Sequence, residues 1–544
     1  MSIEYFVEGK TVTQTGGNYR AYAKEGISHS SAVSVEQKGN QTGVTYNPAQ
    51  KINPHDKPVN TIDVTLNLFF DGTLNNKTNT QAGAKQNKPK GSYANDFSNV
   101  ARGYDCIDPN AQNQVAYYVE GIGTVDNKSD NDTLWLFPAK GAGMGISARG
   151  VQAKATKGCV KGAEAVQKKF QGKKIDVLTV NVYGFSRGAA AARHFLHIAG
   201  TAVNSQKISD KQILVYPPED YEKSDAEPKP NQYVIVNEPD FPLLKYGYFG
   251  ACLIQQKLKV KTVRVNFVGL YDTVASFGVN HKGTSLFGFS IIDDDSKQLG
   301  LNAVRNASFV LQLASSDEYR DNFSLTNIDS AGIRGLQLTL PGVHSDIGGG
   351  YVNNDKEDVL LHEEINSSRE CERFRNILIE EGWYNQQEIT IESSIVPSRT
   401  ASIKYKLWGR RKKVSNEYDK VSLHNMFYYS KQFEVKYNEG LVADHQIKDG
   451  FIADVSNKLT AKYIASCNNL RNQYVKEYNA GKHPSAGEYI SRAGSYSYLN
   501  SGIDIKKLRN VYLHWSANKD SFGMGPRFSG PKTAAERKRY ILNG

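Results

Sequence analysis

The chain has little of what usually marks a protein class. Five cysteines occur in 544 residues. Cys106, Cys159, Cys252, Cys371 and Cys467 never form a C-x-x-C pair, which argues against a disulfide frame or a zinc site and for folding in a reducing compartment. No run of about 18 apolar residues is present, so no membrane-spanning helix is expected. Met1 to Lys10 have no apolar segment behind a basic start. A conventional signal peptide is therefore not expected, and export from the cytoplasm would need a dedicated machine. No G-K-[ST] completes the glycine-rich stretch Gly141 to Gly150, so it is not a phosphate-binding loop. There is no internal repeat. The net charge is +11, yet no nucleic-acid module accompanies it; an anionic membrane or an acidic partner fits that balance better.

What the chain does have is concentrated in residues 175 to 194. Ile175 to Tyr183 is a β-branched, mostly apolar run of the kind that forms a buried parallel strand. Gly184-Phe185-Ser186-Arg187-Gly188 is a G-x-S-x-G turn, and Ala189 to Ala192 begin a strong helix. Strand, sharp turn and helix together are the context of a nucleophile elbow. The turn lifts the Ser186 hydroxyl above the sheet edge, and only glycine fits two positions before and after it. The Arg187 amide at the helix N-terminus is then one oxyanion donor. A capping serine in an ordinary strand–helix turn is the alternative.

Other strands end in equally sharp polar turns. Thr61 to Phe70 reads as the first core strand and ends in Asp71-Gly72-Thr73, at the edge where open α/β sheets place their active-site loops. Backbone amides at Gly72 and Thr73 are candidates for the second oxyanion donor, and Asp71 for loop support or plain turn formation. Val115 to Val119 is a second short strand, and Gln152 to Phe170 an amphipathic helix. Val263 to Leu270 ends near Asp272. Leu336 to Leu340 ends near His344, ahead of Gly348-Gly349-Gly350. Strands alternating with helices predict an α/β fold with a mostly parallel sheet and helices on both faces.

Ser186, Asp272 and His344 follow the chain order of an α/β-hydrolase triad: nucleophile, orienting acid and general base. His194 and His197 lie on the elbow helix and read as packing residues, whereas His424 and His514 are rivals for the base. Asp346 reads as a brace for its loop. An H-x-D metal site at His344 and Asp346 lacks a third ligand at recognisable spacing, and neither metal nor cofactor is expected.

Around this core, residues 1–60 read as a flexible or accessory arm. Residues 61–351 form the predicted catalytic core, with an insertion over about 205–258 read as a lid; core packing of Tyr246 to Gly250 is the alternative. Residues 352–544 form an accessory region packed on the core, with a charged helix over Glu363 to Glu381. There Trp408 followed by Arg410, Arg411, Lys412 and Lys413 is a candidate membrane contact, a solvated turn being the alternative.

The motifs Phe70-Asp71-Gly72-Thr73-Leu74-Asn75, Gly121-Ile122-Gly123-Thr124, Gly184 to Ala189, Gly269 to Val274 and Gly342 to Tyr351 occur in one order. Over residues 61 to 351, with weaker echoes at Leu423 to Phe427 and Tyr512 to Ser516, the chain resembles a bacterial type VI secretion lipase effector of the first family. That resemblance implies a phospholipase A acting on glycerophospholipids of a target cell through a Ser186–Asp272–His344 triad. It also implies a VgrG-like spike or cargo carrier, a cognate immunity protein, and action at the target membrane or periplasm. A soluble carboxylesterase and a non-enzymatic binding module on the same fold remain the competing readings.

Overall fold

Five of the six strands of the central sheet are runs that the sequence predicts, and the structure adds Phe309–Ser315 between two of them. The computed structural model describes residues 61–128, 130, 150–218, 233–275, 299–396, 402–482, 496–521 and 524–544. The N-terminal arm, residues 141–149 of the glycine-rich stretch and residues 219–232 of the insertion lie outside them. Six strands form the central sheet: β1 (Thr61–Phe70), β2 (Gln114–Val119), β3 (Lys174–Phe185), β4 (Lys259–Tyr271), β5 (Phe309–Ser315) and β6 (Gly335–Leu340). Their spatial order is β6-β5-β4-β3-β1-β2. The pairings β1–β2, β3–β4, β4–β5 and β5–β6 are parallel. The order reverses between β1 and β3, and in such sheets the crevice above the carboxyl ends at that reversal is where ligands bind.

Alternation along each strand splits the core into two layers. Leu66, Leu68 and Phe70 of β1, with Val180 and Val182 of β3, face one layer. Phe69, Tyr183 and Phe185 face the other. The first layer is closed by the helices Val151–Phe170, Arg187–Gly200 and Gly247–Gln255. Ala189 to Ala192 are wholly buried there, since small side chains let the elbow helix lie close on the sheet. Glu120, just beyond β2, accepts from both Lys154 and Lys157 at 2.7 Å and ties the first of these helices down. The second layer is supplied by residues 359–517, among them Trp383, Met426, Phe427, Tyr463 and Trp515.

Two expectations change here. Tyr246 to Gly250 do not line a lid: Gly247–Gln255 is a helix whose Phe249 packs edge-on against Phe195 of the elbow helix. The rest of the described insertion holds a small antiparallel sheet, Ser205–Ser209, Gln212–Val215 and Val234–Asn237, and a 3₁₀ helix, Glu238–Tyr246. The charged helix begins later than its composition suggests, at Arg369, because Asp355–Ile365 is claimed as a strand by pairing with Ser402–Val414.

The run from Trp408 to Lys413 is neither a turn nor a uniform cationic face. It lies inside the strand Ser402–Val414, so successive side chains point to opposite sides. Arg411 points inward, is fully buried, and donates to Glu357 and to the carbonyls of Arg509, Asn510 and Leu513. It therefore serves the fold and not a membrane surface. Arg410 pairs with Asp358 and Glu392 while its guanidinium covers the Trp408 ring. Lys412 and Lys413 are the exposed cations of this run that are not drawn into such a network.

Candidate active site

The elbow has the strained geometry its sequence requires. Ser186 ends β3 with φ 59° and ψ −129°, a region L-residues rarely occupy, and the helix starts at Arg187. Its backbone is clamped: the Ser186 amide donates to Tyr271 O at 3.0 Å, and the Val274 amide donates to Ser186 O at 3.3 Å. A Cβ on Gly184 would lie 2.5 Å from Ala189 Cα, and one on Gly188 would collide with the Asp71 carbonyl oxygen. We therefore expect Gly188→Ala to lower stability by about 1–3 kcal/mol and to abolish labelling of Ser186 by a fluorophosphonate, with thermal melting and label incorporation as the readouts.

The two residues on either side of the Ser186 clamp bracket Asp272, which sits at φ 46° just after β4. Asp272 is wholly buried, and its carboxylate is fully occupied. Oδ2 accepts from His344 Nδ1 at 2.5 Å and from Ser315 Oγ at 3.0 Å. Oδ1 accepts from the Ser315 amide at 2.9 Å and from Arg539 Nη1 at 2.6 Å. Burial alone would push this carboxyl up, but the Arg539 and His344 contacts hold it well below the ordinary carboxylate range.

His344 opens the short helix that follows β6, and its ring rests between Phe185, at 4.7 Å, and Phe323, at 5.1 Å. Loss of hydration lowers its pKa below the ordinary histidine value despite the carboxylate at Nδ1. Its Nε2 is buried and without a hydrogen-bond partner among the described residues. So the acid and the imidazole meet, and the other ring nitrogen is left without a partner. The Ser186–His344 hydrogen bond itself is not formed; nucleophile–base contacts in unliganded sites commonly tighten only around substrate.

The rival histidines find other partners. His514 Nδ1 bonds Asp346 Oδ1 at 2.7 Å, and His424 Nε2 faces His445 O at 2.9 Å. His194 faces Leu299 O, and His197 lies beside it. Asp346 also accepts from the Val343 amide at 2.9 Å and from the His514 amide, so it braces the loop that carries His344.

At the β1 end, Asp71 is buried and takes the hydroxyls of Ser98 and Tyr118. It also takes the Gly72 amide at 2.7 Å, which removes Gly72 from the oxyanion donors. Burial pushes its pKa up to about 6 against those three donors. The Thr73 hydroxyl is buried and without a partner among the described residues. Arg187, partly buried beside Ser186 and with no carboxylate paired to it among the described residues, has its pKa pulled down to about 10 by lost hydration. Among the described residues no group of His, Cys, Asp and Glu is arranged to hold a metal ion, and no helix is long and apolar enough to cross a membrane.

A family model described as the type VI secretion system phospholipase effector Tle1-like catalytic domain matches residues 65–369, more than half of the chain. The chain belongs to this family. A solved structure described as the Tle1 effector bound to the VgrG spike of the type VI secretion system aligns over 91% of this chain and 98% of its own, with a TM-score of 0.51 and 19% identity. An uncharacterized protein from Pseudomonas aeruginosa aligns over 86% of this chain and 64% of its own, with a TM-score of 0.37 and 15% identity. No curated protein matches. The Tle1-like chain is thus a phospholipase effector of type VI secretion with an α/β fold. Within it, sequence reasoning missed two site residues: Ser315 and Arg539, which hold Asp272 from segments with no motif of their own.

Proposed function

We propose that this effector is a phospholipase A that cleaves acyl esters of glycerophospholipids through a Ser186–Asp272–His344 triad and an acyl-enzyme. The observation that carries the reading is the Asp272–His344 contact at 2.5 Å beside an elbow serine at φ 59°. His344 Nε2 takes the hydroxyl proton as Ser186 Oγ attacks the ester carbonyl carbon. The Arg187 and Thr73 amides stabilise the oxyanion. The ester C–O bond then breaks, and the imidazolium returns its proton to the departing lysophospholipid hydroxyl. Water attacks the acyl-enzyme with His344 again as base, releasing a fatty acid. Asp272 keeps Nδ1 protonated throughout, so that Nε2 is the basic nitrogen.

Arg187 favours a phospholipid over a neutral ester. A guanidinium with no acidic neighbour among the described residues, one residue from the nucleophile, is suited to a lipid phosphate. Residues 61–351 act as the catalytic core in this reading, and 352–544 as the layer that supports it. The Tle1 effector of the solved complex is bound to a VgrG spike; we extend a spike or cargo-carrier partner, a cognate immunity protein and action at a target-cell membrane or periplasm to this chain.

Vesicles of phosphatidylethanolamine and phosphatidylglycerol, with free fatty acid and lysophospholipid as measured products, test the assignment. Efficient turnover of short soluble esters with intact vesicles left untouched would favour the carboxylesterase. The pH profile gives a second check. Because burial lowers the His344 pKa, the imidazole stays neutral to more acidic pH than a free histidine. The acid limb of kcat/KM is expected below the ordinary histidine value of about 6.5, and a limb above it contradicts His344 as the base.

A further inference from the structure

The orienting acid is held from a part of the chain that no hydrolase motif reaches. Arg539 lies 267 residues from Asp272, yet its Nη1 donates to Asp272 Oδ1 at 2.6 Å and to Ser315 Oγ at 2.9 Å, and its Nε donates to Phe323 O. The pair is sealed from water, with side-chain exposures of 7% for Arg539 and 0% for Asp272. The segment carrying Arg539 is locked in place by strand pairing: Ile541–Leu542 runs parallel to Leu325–Thr326, and the amides of Leu325 and Asn327 donate to Tyr540 O and Leu542 O at 2.9 Å each. The Thr326 amide in turn donates to the carbonyl of Thr273, the neighbour of Asp272, at 3.0 Å. Phe323, whose carbonyl takes Arg539 Nε, also lays its ring edge-on to His344. One loop thus fixes both Arg539 and the imidazole.

We propose that Arg539 is a positioning residue for hydrolysis, holding the Asp272 carboxylate in the orientation that presents Oδ2 to His344. The proposal rests on the triad reading above. The geometry separates the roles of the two carboxylate oxygens. Oδ1 is occupied by Arg539 and the Ser315 amide, which leaves Oδ2 directed at Nδ1. Without Arg539 the carboxylate keeps only its Ser315 contacts besides His344, and Oδ1 loses its charged donor. The charges point the same way. Among the described residues, Asp272 after β4, Glu318 and Arg320 after β5, and Arg539 are the charged groups that act on the imidazole. They are two anions and two cations. Removing Arg539 leaves one excess negative charge, which favours the imidazolium and disables the base at higher pH.

The test uses the full chain and three variants: Arg539→Gln, Arg539→Lys and Ser186→Ala. The rate of Ser186 labelling by a fluorophosphonate and vesicle hydrolysis are followed from acid to alkaline pH, with melting temperature recorded alongside. Arg539→Gln is expected to lose roughly tenfold to a hundredfold in both rates, the loss of one charge-assisted hydrogen bond. Its acid limb is expected to move up by about one pH unit. Arg539→Lys keeps the charge, so its limb stays near the wild-type position. Its rate still falls at least about tenfold, because an ammonium does not span Asp272, Ser315 and Phe323 together. Wild-type rates with an unmoved limb in Arg539→Gln overturn the proposal, and so does a loss confined to melting temperature. Should Arg539→Gln not fold, a fully active Arg539→Lys overturns it equally. Residual hydrolysis in Ser186→Ala points instead to failure of the triad itself, which separates the two readings.

Discussion

Ser186→Ala is expected to cut hydrolysis of phosphatidylethanolamine and phosphatidylglycerol vesicles by roughly four to six orders of magnitude, while melting at nearly the wild-type temperature. The size of the loss follows from the proposed mechanism: in it, without the hydroxyl no acyl-enzyme forms, and only binding and the oxyanion donors remain. The stability expectation follows from the backbone. Ser186 holds φ 59° and ψ −129° because its amide and carbonyl are clamped to Tyr271 and Val274. Alanine suffers the same strain as serine there, whereas glycine does not. Ser186→Gly should therefore be as inactive as Ser186→Ala and more stable by about 1 kcal/mol or more. Equal melting of the alanine and glycine variants would show that the elbow stores no strain, and retained turnover in either would remove Ser186 from the mechanism.

Asp272→Asn is expected to act on rate and stability together. On rate, an amide in place of the carboxylate no longer fixes the Nδ1–H tautomer or stabilises the imidazolium, a loss of roughly 10⁴-fold in kcat. On stability, the substitution leaves the Arg539 guanidinium buried opposite a neutral amide. Breaking one partner of a buried ion pair typically costs about 3–5 kcal/mol, and denaturant unfolding of the full chain measures it. The sign with pH is fixed by the direction of the Asp272 shift. Its folded pKa lies below the unfolded value, so its stabilisation is present above the ordinary carboxylate range and is lost as pH falls through the folded pKa. Wild type and Asp272→Asn should therefore differ most at neutral pH and converge in strong acid. A constant gap across that range would mean that ionisation of Asp272 is not what holds Arg539.

The contrast between Gly184 and Arg411 shows what kind of information each level carries. The requirement for glycine at 184 is local: a Cβ there would lie 2.5 Å from Ala189 Cα in the first turn of the helix that follows. Arg411 looked like one member of a cationic run, because sequence neighbours were all that could be seen. Its position was decided by strand register, which turned it inward onto Glu357 and three carbonyls about 100 residues away. Tyr246 to Gly250 failed as a lid for a related reason. An aromatic patch is equally suited to covering a ligand or to filling a core, and the neighbouring Phe195 took it for the core.

By itself the sequence determined five of the six strand runs of the central sheet, Phe309–Ser315 being the exception, together with the strand–turn–helix at Ser186, Gly184 within it, and the position of Asp272 and His344 at strand ends. These rest on backbone sterics and on period-two burial, which act over a few residues and leave a readable pattern. Only the tertiary structure decided that Asp346 braces its loop against His514, that Gly72 gives its amide to Asp71, and that Arg539 reaches the Asp272 carboxylate. Those contacts join groups through folding of the whole chain or through the turn of one side chain. Neither leaves a spacing in the sequence, because a charge buried 267 residues from its partner is matched by position in space alone.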